Sequence, residues 1–120
     1  MNSRDLKYFK KRLTEWLEVL EHQSNGTING MINSAERPIE TLDQAAVENE
    51  LAMALRIRTR EKFLIRKIQQ SLQDIEIGEY GICELCGERI DMKRLKARPV
   101  ARYCFRCKTE MEKRERLVGD

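Results

Sequence analysis

IETLDQAAVENELAMALRIRTREKFLIRKIQQSLQDIEI, residues 39–77, runs from Pro38 to Gly78 without a proline or a glycine. Its apolar residues Leu42, Ala45, Leu51, Leu55, Ile65, Ile68, Leu72 and Ile75 recur at helical spacing, which marks one buried face of an α-helix. The pattern predicts a single long helix. At ~1.5 Å per residue it spans roughly 55 Å, and a helix of that length needs another element along its apolar stripe to be stable in water. The N-terminal third supplies one, with Leu6, Phe9, Leu13, Trp16, Leu17, Leu20, Ile28 and Met31 at three- and four-residue steps or multiples of them. The two pair as an antiparallel hairpin.

One local signal opposes this. Gly26 and Gly30 each cost a helix about 1 kcal/mol relative to alanine, and Ser24-Asn25-Gly26 reads as a stop. The second helix needs a partner over its whole length, and Ile28, Met31 and Ile32 resume the pattern, so the first helix is expected to continue. Pro38 then ends it, Thr41 or Asp43 caps the second helix, and the tip falls near 35–43. Gly78 closes the second helix. Glu79 to Tyr103 reads as short and turn-rich, and Cys104 to Val118 as a charged helix. The expected division is 1–77 for the hairpin and 78–120 for a small cysteine module with its C-terminal helix.

Composition agrees with thin packing. Charged residues make up 36% of the 120 residues and aromatics 6%, which favours exposed helices over a deep core. The net charge is only +3, from 23 basic and 20 acidic residues, too little to identify a general nucleic-acid binder. Met1 to Arg12 is charged throughout and lacks the apolar run of a signal peptide, and no window approaches the ~18 apolar residues of a membrane span. A cytoplasmic location and no membrane association are expected. Nothing in the pattern calls for a second copy, so a monomer is expected too.

Cys83-Glu84-Leu85-Cys86 and Cys104-Phe105-Arg106-Cys107 are separated by seventeen residues. In a reducing compartment such pairs are metal ligands more often than disulfides. Two C-x2-C knuckles bring four thiolates into a tetrahedron, and Gly81 and Gly87 permit the tight turns around the first of them. One Zn²⁺ is the expected occupant. Redox dithiols are the alternative chemistry, but neither pair sits in a βαβ pattern. Four cysteines leave no open position for water, so the metal holds structure and performs no reaction.

The charges are segregated. Glu36, Glu40, Asp43, Glu48 and Glu50 surround the expected tip against one base, Arg37, whereas Arg56, Arg58, Arg60, Lys62, Arg66 and Lys67 follow with one acid, Glu61. Such runs are commonly solvated helix faces. A rod acidic at its tip and basic along its shaft also suits insertion into a large partner. Glu40 and Asp43, about one turn apart, can face a Mg²⁺ ion or a basic surface, or can simply favour the positive end of a helix. His22, the single histidine, has no evident catalytic partner. No P-loop, dinucleotide fingerprint or Ser/His/Asp arrangement is present, so no enzyme is indicated.

At the cysteines the chain resembles the DksA/TraR zinc-finger family. Cys83-Glu84-x-Cys86, Ile90, Arg94-Leu95, Pro99, Cys104 and Cys107 fall at the positions of its signature, and the resemblance extends back through Arg56–Ile68 to the tip. It implies a transcription regulator that binds RNA polymerase, pushes its hairpin through the secondary channel and destabilises open complexes, often together with ppGpp. The family's tip motif D-x-x-D-x-A appears as Glu40-Thr41-Leu42-Asp43-Gln44-Ala45. Asp43 and Ala45 match, and Glu40 replaces the usual aspartate, keeping the charge on a longer arm. By the same resemblance Arg60 is a polymerase contact, and Leu64, Lys67, Arg98 and Lys108 are the ppGpp-binding set. The longest members carry an N-terminal extension that this chain lacks, which bears on polymerase and alarmone contacts and fits a specialised paralogue. Three other roles compete: a transcript-cleavage factor with an acidic tip, a DNA-binding zinc finger, and an interaction scaffold. Cleavage factors have a different domain arrangement without this zinc module, and no basic recognition helix follows a knuckle here, so sequence-specific DNA binding is not expected.

Overall fold

The computed structural model describes residues 1–36 and 44–118, with side chains described for 1–26 and 44–117. Four helices follow one another: α1 (Ser3–Glu36), α2 (Gln44–Ile77), α3 (Met92–Ala97) and α4 (Phe105–Val118). The fold is mainly α, and the described residues contain no strand beyond an isolated antiparallel bridge between Ile82 and Arg89. The expected tip residues Glu40 and Asp43, and the proposed caps there, lie outside the described residues. Ala45 is the second residue of α2.

The first helix starts on a side-chain cap. Asn2 Oδ1 accepts the Asp5 backbone N–H at 2.8 Å, satisfying a donor that no preceding helical carbonyl can reach, and the Asp5 carboxylate favours the positive helix end. As expected, α1 then continues through Gly26 and Gly30. A local propensity cost of about 1 kcal/mol per glycine is small against the packing of a long apolar stripe.

Gly78 ends α2 with a positive φ of 78°. The Glu79 N–H reaches the Asp74 carbonyl at 2.8 Å and the Gly78 N–H the Ile75 carbonyl at 3.3 Å, the paired bonds of a Schellman cap. These satisfy two carbonyls that the helix itself leaves open.

The chain divides into two compact units. Unit 1 is Met1–Leu13 with Gln70–Asp120, and unit 2 is Thr14–Gln69. In unit 1 the start of α1 lies against the end of α2, as the Lys10–Glu76 ion pair at 2.9 Å shows, so the two segments run antiparallel. Phe9, Leu13, Tyr80, Cys83, Ile90, Leu95 and Val100 are the buried core of this unit. The Phe9 ring meets Tyr80 at 5.4 Å between centroids. Leu95 is the reason that α3 exists. MKRLKA is made of good helix formers, but a six-residue helix has no independent stability, and its one buried side chain holds it. The sequence pattern predicts only turns there.

In unit 2, Leu20 on α1 and Ile68 on α2 are buried. Along α2, Val47, Leu51, Ala54, Glu61, Ile65, Ile68, Leu72 and Ile75 are half-buried or buried and fall on a heptad stripe, flanked by Leu64, Gln70, Ser71 and Asp74. The stripe passes through Ala54 and leaves Leu55, assigned to it from sequence, 50% exposed. Ala45 is exposed as well.

Two glycines with equally open surroundings make opposite demands. Neither Gly26 nor Gly78 has an atom within 4 Å of where a Cβ would stand, so substitution acts through the backbone alone. Gly26→Ala should raise stability by up to about 1 kcal/mol, and Gly78→Ala should lower it by about 1–2 kcal/mol because of its left-handed φ. Thermal melting followed by circular dichroism checks both signs; a shift in the same direction for the two variants would contradict a helical Gly26 and a left-handed Gly78.

Candidate metal centre and effector surfaces

The first knuckle is a short loop closed on itself. Gly81 and Gly87 take φ of 80° and 73°, which side chains resist. The Cys83 N–H donates to the Glu88 carbonyl at 2.8 Å, the Gly87 N–H to the Cys83 carbonyl at 3.0 Å and the Ile90 N–H to the Gly81 carbonyl at 2.8 Å. This turn aims Cys83 inward, where it is buried, and leaves Cys86 exposed. At Gly81 a Cβ would stand 2.6 Å from Met1 Cε and 3.3 Å from Leu95 Cδ1, so glycine answers there to space as well as to φ.

The second knuckle is the start of a helix. The Lys108 N–H donates to the Cys104 carbonyl at 2.9 Å, the Cys107 N–H points at Cys104 Sγ at 3.5 Å, and α4 begins at Phe105. Sulfur thus occupies the place of an N-cap oxygen. Cys104, just before α4, and Cys107, in its first turn, reach the site from one element.

All four sulfurs lie within 4.8 Å of one another. Cys86 Sγ and Cys104 Sγ are 3.8 Å apart, far beyond the ~2.05 Å of a disulfide. Four thiolates placed tetrahedrally at ~2.3 Å from Zn²⁺ stand about 3.8 Å from each other. The electrostatics are compatible with a cation there. Burial would raise the Cys83 thiol, but the backbone N–H groups around it, together with Cys86, draw it down to about 6. Cys107, hydrogen-bonded to Cys104 and crowded by the other sulfurs, is pushed up to about 12. Among themselves four thiolates cannot all ionise, and a dication removes that conflict. These residues form a structural zinc site, closed to substrate.

A frame of polar contacts holds the two knuckles together. Arg102 Nε donates to Glu84 Oε1 at 2.6 Å, with a second guanidinium bond to the same oxygen, and the Glu84 N–H donates to the Arg102 carbonyl at 3.0 Å. The hydrogen bond from Arg102 holds the Glu84 carboxyl below the usual carboxylate range. Arg102 also lies 3.9 Å from Asp74 at the end of α2. Tyr80 donates its hydroxyl to the Pro99 carbonyl at 2.8 Å, and burial keeps that phenol protonated. Arg94 Nε reaches the Tyr103 carbonyl at 3.0 Å, and Arg12 the Lys96 carbonyl at 2.5 Å. Glu84, Arg102 and Tyr80 carry this frame, yet only Glu84 enters the motif read from sequence. Their partners are fixed by the fold and not by any spacing.

The remaining site residues fall in both units. Arg60, Leu64 and Lys67 share one surface recess of unit 2, about 610 Å³, with Ile57, Glu61 and Phe63. Arg98, in unit 1, follows α3 and gives its N–H to the Arg94 carbonyl, and Lys108 lies in the first turn of α4.

Residues 5–75 match the family described as DnaK suppressor protein DksA, N-terminal domain, and residues 78–113 match the prokaryotic dksA/traR C4-type zinc finger. The RNA polymerase-binding transcription factor DksA of Caulobacter vibrioides is 39% identical over 120 residues, covering 100% of this chain and 84% of that protein. Its namesake in Escherichia coli K12 is 39% identical over 119 residues, covering 99% and 79%. Among solved structures, transcription factor DksA2 of Pseudomonas aeruginosa superposes with a TM-score of 0.88 at 33% identity, over 96% of this chain and 88% of that one. The RNA polymerase binding protein and transcriptional regulator Dks of Chlamydia trachomatis gives 0.57 at 26% identity, over 94% and 93%.

The zinc assignment has a direct check. Purified protein should contain one zinc per chain by mass spectrometry, and cobalt substitution should give the intense visible bands of a tetrahedral tetrathiolate. Cys104→Ser should abolish both, and Arg102→Ala should keep the stoichiometry while weakening metal affinity at least about tenfold, as loss of an outer support does. Affinity should fall as pH is lowered, since protons compete for the sulfurs. An unchanged metal content in Cys104→Ser would refute the four-sulfur site.

Proposed function

We propose, since this chain belongs to the DksA/TraR family of C4 zinc-finger proteins, that it is a non-enzymatic transcription regulator that binds RNA polymerase. The observation that carries this reading is end-to-end similarity to proteins named for binding RNA polymerase. The zinc site supports it, because a closed tetrathiolate centre offers no position for catalysis.

In this reading the tip of the hairpin formed by residues 1–77 enters the polymerase secondary channel, and 78–120 form the zinc module behind it. Glu40 and Asp43 bring two carboxylates to the active centre, where they act on Mg²⁺ or on basic groups around it, and Ala45 keeps the adjoining helix surface small. Arg60, exposed on α2, pairs with a carboxylate of the polymerase. The exposed cations of the shaft speed encounter with an acidic surface. Leu64, Lys67, Arg98 and Lys108 bind ppGpp, the three cations meeting its phosphates. The protein acts as a monomer in the cytoplasm; no helix among the described residues is long and apolar enough to cross a membrane.

Open-complex lifetime at a ribosomal-type promoter, with competitor challenge, tests the proposal. The protein should shorten the lifetime, and ppGpp should enhance the effect. Asp43→Asn should bind polymerase normally and lose the effect, whereas Arg60→Ala should weaken binding about tenfold or more, as removal of one partner of an interfacial pair does. An Asp43→Asn variant that remains fully active would dismiss the tip mechanism, and failure of the wild-type protein to bind polymerase would dismiss the function.

A further inference from the structure

The overall charge of +3 conceals a local excess. Residues 89–108 contain eight of the 23 basic residues and one acid, Asp91, so the rest of the chain is net acidic. Two of these cations are committed to the frame: Arg94 to the Tyr103 carbonyl and Arg102 to Glu84. Arg89, Lys93 and Lys96 are exposed, and among the described residues no carboxylate lies within 4.0 Å of them. The short α3 turns Leu95 into the core, and Lys93 and Lys96, three residues apart, share another side of the helix.

The second knuckle adjoins this surface. The Arg94–Tyr103 bond ties α3 to the residue just before Cys104, and Arg106 stands 4.0 Å from Glu88, the neighbour of Arg89. Beside Arg106, Phe105 is 73% exposed although it sits between two metal ligands. An aromatic ring so placed contributes nothing to the core. A tetrathiolate zinc centre carries a net charge of about −2, but its sulfurs lie between the knuckles, whereas Lys93 and Lys96 stand on α3 and Arg89 just before it.

Exposed cations and an exposed ring on adjoining elements are what single-stranded nucleic acid binds: phosphates take the charges and a base stacks on the aromatic face. A purely acidic protein surface would not explain the ring. We propose that Arg89, Lys93, Lys96, Phe105 and Arg106 form a sequence-nonspecific site for a single-stranded polynucleotide, separate from the tip and from the ppGpp-binding set.

The test is fluorescence anisotropy of a labelled 20-nucleotide oligothymidine with the zinc-loaded full chain, from 50 to 200 mM salt. Binding should weaken with salt at a log–log slope of about −0.7 per phosphate neutralised, near −2 for three contacts. Lys93→Glu combined with Lys96→Glu should weaken binding at least about tenfold and flatten that slope. Phe105→Ala should cost about fivefold or more with the slope retained, because stacking is not ionic. Melting temperature and zinc content should be unchanged in each variant, so a loss of binding reports the surface and not the fold. No anisotropy change at 100 μM protein in 50 mM salt would overturn the proposal. Wild-type binding by both variants would do so too, as would a double charge variant that fails only to bind RNA polymerase, which would make the patch a protein-docking surface.

Discussion

Four sulfurs drawn within 4.8 Å of each other repel when ionised, and unit 1 depends on the cation that lets them stay together. Unit 1 has few large side chains to bury. Of its fully buried residues, Phe9, Leu13, Leu95 and Cys83 come from separated parts of the chain, and α3 is too short to stand by itself. A module of this size with so thin a core ordinarily needs a staple. Metal binding and folding are then one equilibrium, since the unfolded chain does not present four thiolates at tetrahedral distance.

Around this staple the protein uses polar contacts that are local in space and distant in sequence. Arg102 illustrates the economy of the arrangement: its carbonyl and guanidinium both engage Glu84 between the first pair of ligands, while it also lies near Asp74 at the end of α2. The knuckles are thereby oriented by the same residue that fixes them to the helical segment. Tyr80 does the corresponding work on the apolar side, with its ring against Phe9 and its hydroxyl on the Pro99 carbonyl.

Much of this was legible before any coordinates. Periodicity identifies both long helices, and the choice to carry α1 through Gly26 and Gly30 rests on the unmet demand of α2 for a partner, a tertiary argument that outweighs the local stop. The cysteine spacing identifies the four ligands. What escaped has a common cause. The helical stripe of α2 shifts by one residue from Leu55 to Ala54 because hydrophobicity alone ranks leucine above alanine, whereas packing ranks position. The helix α3 is invisible to periodicity because one buried leucine, not a repeating face, maintains it. The Arg102 and Tyr80 contacts depend on where loops return, which no spacing encodes. Glu40 and Asp43 are identified by motif alone, since their segment lies outside the described residues.

Unit 1 is also discontinuous: its first part is Met1–Leu13, and its second begins only at Gln70. During synthesis the opening turns of α1 therefore leave the ribosome long before the residues that cover Phe9 and Leu13. The last two metal ligands come later still. Joining the parts closes a loop over all of unit 2, an entropic cost met before the zinc module returns any stability. Zinc capture can consequently be completed only once Cys107 has emerged, after both long helices have been made. A chain without zinc keeps four unsatisfied thiols in a unit with little other core, and is the more open to aggregation and proteolysis for it.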